Sequence, residues 1–265
     1  MKNQDVKKEL NQYLKELHLP SVRRMYEDLA DMAVNDDLSY SEYLLELMSK
    51  ESEDRKQRRI ERWLKESLLP LEKNMESFNM KRMPKKILQQ VKVLTDGSFL
   101  KRNENILAFG NPGSGKTHLL CAIGQDLVYN EHRMYYSRCD NLVQELLRAK
   151  KDLRLDRTLK KLMKYEGIII DDIGYVQHSQ EEMEVLFTLL AQRYERGSVM
   201  ITSNLPFSKW EKIFKDPMTT AAAIDRVIHH SVILELNVPS YRMEQAKHQR
   251  SNSSKKSNTR INNKD

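Results

Sequence analysis

The octapeptide GNPGSGKT, Gly110 to Thr117, admits few folds. Three glycines and a proline within six residues make a loop that is costly in entropy to order, so a bound group must return that free energy. The octapeptide satisfies G-x-x-x-x-G-K-[ST], follows the short apolar run NILAF and opens the helical run HLLCAIGQDL, which is the strand–loop–helix context of a phosphate cradle. Loop amides and a helix N-terminus then converge on a phosphate. Gly110, Asn111, Pro112, Gly113, Ser114, Gly115, Lys116, Thr117 and His118 are therefore the candidate nucleotide contacts. Lys116 is expected to reach the β- and γ-phosphates and Thr117 to hold magnesium through its hydroxyl, so ATP and Mg2+ are the expected ligands.

A magnesium site of this kind needs a carboxylate at the end of a neighbouring strand, and GIIIDDIGY supplies one 55 residues after Lys116. Asp171 is the expected magnesium-side carboxylate. Consecutive residues at a strand end point to different sides, which leaves Asp172 to polarise the attacking water. Adjacent aspartates also favour a plain turn. The strand SVMITSN ends in Asn204, which is placed either to contact the γ-phosphate or its attacking water, or to serve as a turn residue.

Five short apolar runs, NILAF, RMYYS, GIIID, SVMIT and VILEL, alternate with longer helical stretches. That alternation predicts an α/β fold, a five-stranded parallel sheet with helices on both faces. A small all-α module precedes it. Leu10, Leu14 and Leu17 repeat at helical spacing, Pro20 starts a second helix through Met25, Leu29 and Met32, and Ser39 caps a third. The predicted organisation is a helical module at 1–68, a linker at 69–84 where periodicity fails around two prolines, a P-loop ATPase domain at 85–243 and a disordered tail at 244–265. The tail carries six Lys and Arg against Glu244 and Asp265 and almost no large apolar side chains.

The formal charge of +7 in 265 residues favours a polyanionic partner. Arg55, Arg58, Arg59, Arg62 and Lys65 recur at three- and four-residue steps and share a face of the third helix, opposite Ile60, Trp63 and Leu64. Glu53, Asp54, Glu61 and Glu66 are interspersed, so a salt-bridged solvated helix and a DNA-facing surface both account for the stripe. The start MKNQDVKKEL has no apolar signal core, and no stretch approaches the ~18 apolar residues of a membrane span. A cytoplasmic chain without a membrane partner is expected. Cys121 and Cys139 sit in different predicted elements with no CxxC spacing, so neither a disulfide framework nor a zinc site is indicated, and Cys121, beside Leu120 on a helix face, is expected as a small buried hydrophobe.

From IIIDDIGYVQHSQEEMEVLF through RYERGSVMITSNLPF to AAAIDRVIHH, the chain resembles the IstB-like branch of AAA+ ATPases, transposition helpers of bacterial insertion sequences whose relatives include DnaC-like helicase loaders. The resemblance extends to LKELHLPSVRRMYEDL and EDRKQRRIERWLK. It implies that Asn204 is sensor 1, that Arg226 is an arginine finger and that Arg242 stands at the sensor 2 position; without it Arg226 reads as a surface ion pair with Asp225 or another carboxylate on its helix. An arginine finger acts on a neighbouring subunit's ATP, so a homo-oligomer with ATP between protomers is implied. Duplex DNA and the transposase of the same insertion sequence are the implied partners, and DNA becomes the expected occupant of the Arg55–Lys65 stripe. Asp172 stands where most AAA+ proteins carry glutamate, which implies slow, DNA-stimulated turnover. A helicase loader, and a nucleotide-binding adaptor with little hydrolysis, are the alternative functions.

Overall fold

A computed structural model of the protein describes residues 3–174, 179–206, 209–210, 225, 227–241 and 243–244. The chain divides into two compact units, Met1–Arg62 and Trp63–Asp265.

The first unit holds helices α1 (Asn3–Glu16), α2 (Pro20–Asn35) and the first part of α3 (Tyr40–Ser67). Proline at the first position of α2 presets its φ without costing a hydrogen bond. Ser39 starts α3 with a reciprocal box: its backbone N–H donates to Glu42 at 2.8 Å and its hydroxyl accepts from the Glu42 N–H at 3.3 Å. The core of this unit is small, made of Leu14, Val22, Leu29 and Leu47. Of the three leucines at positions 10, 14 and 17, only Leu14 enters it, while Leu10 and Leu17, the last just beyond α1, remain exposed. Leu19, at the cap of α2, has no side chain able to accept the first amides. Glu51 of α3 does so instead: its buried carboxylate takes the Ser21 and Val22 N–H groups at 2.8 and 3.2 Å.

That carboxylate also decides where part of the basic stripe points. Arg55 Nε donates to Glu51 at 2.9 Å, and a second Arg55 nitrogen donates to the His18 carbonyl. Arg58 donates to the Asp54 carbonyl at 3.0 Å and lies 3.7 Å from Glu51. Arg62 and Lys65 are exposed further along α3, and Arg59 is half-buried.

In the second unit a strap over 69–84 and helices α4 (Lys85–Leu94) and α5 (Ser98–Lys101) lead into the sheet. There β1 (Asn105–Phe109), α6 (Lys116–Tyr129), β2 (Met134–Arg138), α7 (Cys139–Lys151), α8 (Leu155–Leu162), β3 (Gly167–Ile173), α9 (Gln180–Arg193), β4 (Ser198–Ser203) and β5 (Ser231–Glu235) follow in turn. All strand pairs are parallel, in the order β2-β3-β4-β1-β5. The five-stranded parallel sheet expected from the apolar runs is thus present. Alternate residues serve opposite faces: Ile168 and Ile170 pack with Leu142 and Leu146 of α7 and Leu186 and Leu189 of α9. On the other face a Cβ at Gly124 of α6 would stand 2.8 Å from Ile169, so this helix lies close against β3.

At the base of the sheet the fully buried Arg193 donates to the carbonyls of Tyr165, Glu166 and Ser198 at 2.9–3.1 Å. It ties the start of β3 to the start of β4, and burial pulls its ionisation down to about 10. Cys121 and Cys139 are free and buried, the first where a buried residue was expected, and burial pushes both thiols up to about 12.

Residues 69–84, read from the sequence as a linker, are packed against the second unit: Leu69, Phe78 and Met83 are buried. Two prolines and a 3-10 turn at Met80–Arg82 break any periodicity. Its apolar residues are spaced for a one-off fit, which periodic analysis does not detect.

Candidate functional site

The loop after β1 turns through left-handed backbone at Gly113 (φ 78°) and Gly115 (φ 98°), where any side chain would be strained. Space is also closed there: a Cβ at Gly113 would lie 2.2 Å from the Ser240 hydroxyl, and one at Gly115 3.1 Å from the Phe78 ring. Gly115 caps α6 without a side chain, so the first amides of that helix have no side-chain acceptor at the cap. The Ser114 hydroxyl beside them is buried with no hydrogen-bond partner among the described residues. A buried donor of this kind next to a helix N-terminus is what a phosphate oxygen would satisfy.

Lys116 is buried, and its ammonium donates to the Gly110 and Asn111 carbonyls at 2.8 and 3.0 Å and to Asn204 Oδ1 at 2.5 Å. The strand order produces this meeting. β1 and β4 are neighbours, with Phe109 paired to Ser203, so the residues just after each strand emerge side by side. Topology thereby brings together two residues 88 positions apart.

On the other side of β4 lies β3. The Thr117 hydroxyl donates to Asp171 Oδ1 at 2.7 Å, and the Thr202 hydroxyl donates to the same oxygen at 2.6 Å. Tyr136 of β2 donates to Oδ2 at 3.1 Å. Burial first, and then the Asp171 charge, push the Tyr136 phenol upward, so it stays a neutral donor. Pairing between β3 and β4 is irregular between Ile170 and Ile173, and Asp172 adopts φ 62° within that irregularity. Its N–H donates to the Thr202 hydroxyl at 2.8 Å. The bulge separates the two acids: Asp171 is buried among hydroxyls, while Asp172 lines the cavity.

That cavity has a volume of about 580 Å³ and is bounded by the glycine loop, Arg138, Asp172 and Asn204. Its other wall is made of residues absent from the sequence reading: Lys73, Phe78 and Arg82 of the strap, and Tyr241. Arg82 donates to the Pro239 carbonyl at 2.9 Å, pairs with Glu244 at 2.8 Å and lies 5.1 Å from the Tyr241 ring centre. The Tyr241 N–H donates to the Gly113 carbonyl at 2.9 Å, so the chain after β5 is fastened to the phosphate loop. His118, expected among the nucleotide contacts, also borders the cavity, but its ring Nε2 lies 3.0 Å from the Asn74 carbonyl and 3.1 Å from the Ser77 hydroxyl. It anchors the strap. Arg226, Arg242 and the tail beyond Glu244 lie outside the described residues.

The structure therefore gathers Lys116, Thr117, Asp171, Asp172 and Asn204 at one end of the sheet. Thr202 and Tyr136, which complete the cluster, were missed: a threonine and a tyrosine inside strands read as ordinary β residues. Period-two alternation from Asn204 back to Thr202 was the available signal for the first.

Residues 12–250 match the family model described as IstB-like ATP binding protein. An insertion sequence ATP-binding protein of Sinorhizobium fredii is 42% identical over 234 residues, covering 88% of this chain and 78% of the relative. The corresponding protein of IS5376 from Geobacillus stearothermophilus is 33% identical, covering 91% and 96%, and that of IS21 from Pseudomonas aeruginosa is 35% identical, covering 89% of each. Among solved structures, the DnaC helicase loader superposes with a TM-score of 0.53 at 15% identity, over 61% of this chain and 95% of that one. AMPPCP-bound DnaA from Aquifex aeolicus superposes with a TM-score of 0.55 at 17% identity, over 69% and 55%. The sheet order, the phosphate loop joined to Asp171 and Asn204, and relatives matched over most of their length lead to one conclusion: this chain belongs to the IstB-like ATP-binding proteins of insertion sequences, built on a P-loop AAA+ fold.

Proposed function

We propose that the protein is an ATP-hydrolysing, DNA-binding AAA+ helper that assembles on duplex DNA and assists or activates the transposase of its own insertion sequence. The observation that carries the ATPase part is the convergence of Lys116, Thr117 and Asn204 on one cavity, with the buried Asp171 hydrogen-bonded to Thr117. In this reading Lys116 leaves its carbonyl and amide partners for the β- and γ-phosphates, and Ser114 gains the acceptor it lacks. Thr117 and Asp171 would hold magnesium, which neutralises charge on the phosphates when bound. Asp172 orients the attacking water and takes its proton, and Asn204 senses whether a γ-phosphate is present. Arg226 acts in trans and Arg242 contacts the nucleotide. ATP then favours the oligomer and hydrolysis releases it.

A polyanionic partner is supported by a second hollow, of about 1390 Å³, between α7 and α8. Arg148, Arg154, Arg157, Lys160, Lys161 and Lys164 line it against Glu145, Asp152 and Asp156. Arg62 and Lys65, exposed on α3, offer a further cationic face. The insertion-sequence relatives favour a transposase as the protein partner, whereas the DnaC likeness is one of fold.

Titrating a fluorescent duplex at several salt concentrations, with and without ATP, tests the DNA part. Each phosphate neutralised contributes about −0.9 to the slope of log affinity against log salt. Replacing Lys160 and Lys161 with alanine is expected to flatten that slope by up to about two units. Replacing Arg62 flattens it by about one, and removing 244–265 weakens binding without abolishing ATP-dependent assembly. Affinity for duplex indifferent to ATP and to these changes, with preference for single strands, would move the assignment to a helicase loader.

A further inference from the structure

We infer that Tyr136 is a positioning residue for the magnesium-side carboxylate, holding Asp171 in the orientation it needs toward Thr117. The inference rests on the ATP–magnesium reading above. Its basis is a division of labour on one buried carboxylate. Asp171 Oδ1 accepts from both Thr117 and Thr202, while Tyr136 is its partner on Oδ2 among the described hydrogen bonds. The terminal torsion of an aspartate is broad and nearly two-fold, so anchoring one oxygen does not fix the plane of the group. Two anchors on different oxygens do.

The register explains why a tyrosine serves here. Arg138 of β2 is paired with Asp171, and Tyr136 with Ile169, so Tyr136 stands one diagonal step back on the face that Asp171 uses. A short hydroxyl at that place would not cover the diagonal, whereas the length of a phenol does. Thr202 performs the matching task from β4, with the added duty of accepting the Asp172 N–H. The Thr117 hydroxyl is the one of the three assigned to the metal, so with the nucleotide in place Tyr136 and Thr202 are the donors that remain on Asp171. Outer partners of this kind set metal affinity by about 10–100-fold.

The test is Tyr136→Phe in the full chain, which removes one oxygen and keeps the ring. A fluorescent ATP analogue is titrated at fixed protein concentration while Mg2+ is varied, and ADP affinity is measured separately in EDTA. The expected result is a rise of about ten-fold or more in the Mg2+ concentration for half-saturation, with the EDTA affinity unchanged. Thr202→Val, at the other oxygen, is expected to raise it in the same direction. An unchanged Mg2+ requirement in Tyr136→Phe overturns the inference, and so does an equal loss of affinity in EDTA, which would mark a general distortion of the cleft. A wild-type protein whose binding ignores Mg2+ would instead refute the underlying magnesium assignment, an outcome visible before any variant is made.

Discussion

Replacing Lys116 with alanine is the sharpest perturbation of the site, and its size follows from what the ammonium already touches. Among the described hydrogen bonds, Lys116 donates to the Gly110 and Asn111 carbonyls and to Asn204 Oδ1. Binding ATP therefore exchanges those contacts for phosphate oxygens, and the gain is a difference between charge-assisted bonds to neutral and to anionic partners. A hydrogen bond to a charged group contributes about 1.5–3 kcal/mol net. Removing one net bond of this class is expected to weaken ATP binding by roughly 10–150-fold, at 1.4 kcal/mol per ten-fold. The loss should be greater for ATP than for AMP, because Lys116 is assigned to the β- and γ-phosphates. Equilibrium titration with fluorescent ATP and AMP analogues at fixed magnesium and salt measures both, and the melting temperature reports whether the loop still folds. An ATP affinity within two-fold of wild type in a folded variant would refute the reasoning, since a buried lysine at the phosphate cradle would then contribute nothing to phosphate binding.

Asp172→Asn keeps the cradle and Asp171 intact, so nucleotide affinity is expected to stay within a few-fold while phosphate release slows by about 10²–10⁴-fold; unchanged turnover would remove Asp172 from the chemistry. Mixing Arg226→Ala with Lys116→Ala protein is expected to restore part of the hydrolysis that each lacks alone, because a mixed interface pairs an intact cradle with an intact finger. No recovery in proven mixed oligomers would rule out action in trans. In the first unit, Glu51→Ala strips the amide acceptor from the start of α2, at a cost of about 1–2 kcal/mol seen as faster hydrogen exchange at Ser21 and Val22. Burial opposes ionisation of Glu51, but the Arg55 hydrogen bond and the two amides outweigh it and hold its carboxyl below the usual glutamate range. The wild-type protection is therefore complete above the unfolded glutamate value of ~4.3 and is lost as pH falls through the lower folded value. Exchange at these amides that ignores acidification would contradict this.

The sequence by itself determined the parts of the site that are local. Gly113 and Gly115 announce left-handed backbone, Lys116 and Thr117 follow at the helix start, and Asp171 and Asn204 stand where their strands end, each recognisable within a window of about ten residues. The parallel sheet was legible for the same reason, since alternation of apolar runs with helical stretches is a property of neighbours along the chain. Only the tertiary structure decided which distant residues serve these groups. Strand order places Asn204 against Lys116, and register carries the Tyr136 phenol to Asp171. The strap brings Phe78 against the glycine loop from a stretch whose composition suggests only a linker. The Arg55–Lys65 stripe shows the limit most clearly: its spacing defines one face, yet the buried Glu51 carboxylate engages Arg55 and Arg58, which stay exposed alongside Arg62 and Lys65. Spacing along a helix fixes which side chains share a direction, whereas their partners are set by segments that fold back from elsewhere in the chain.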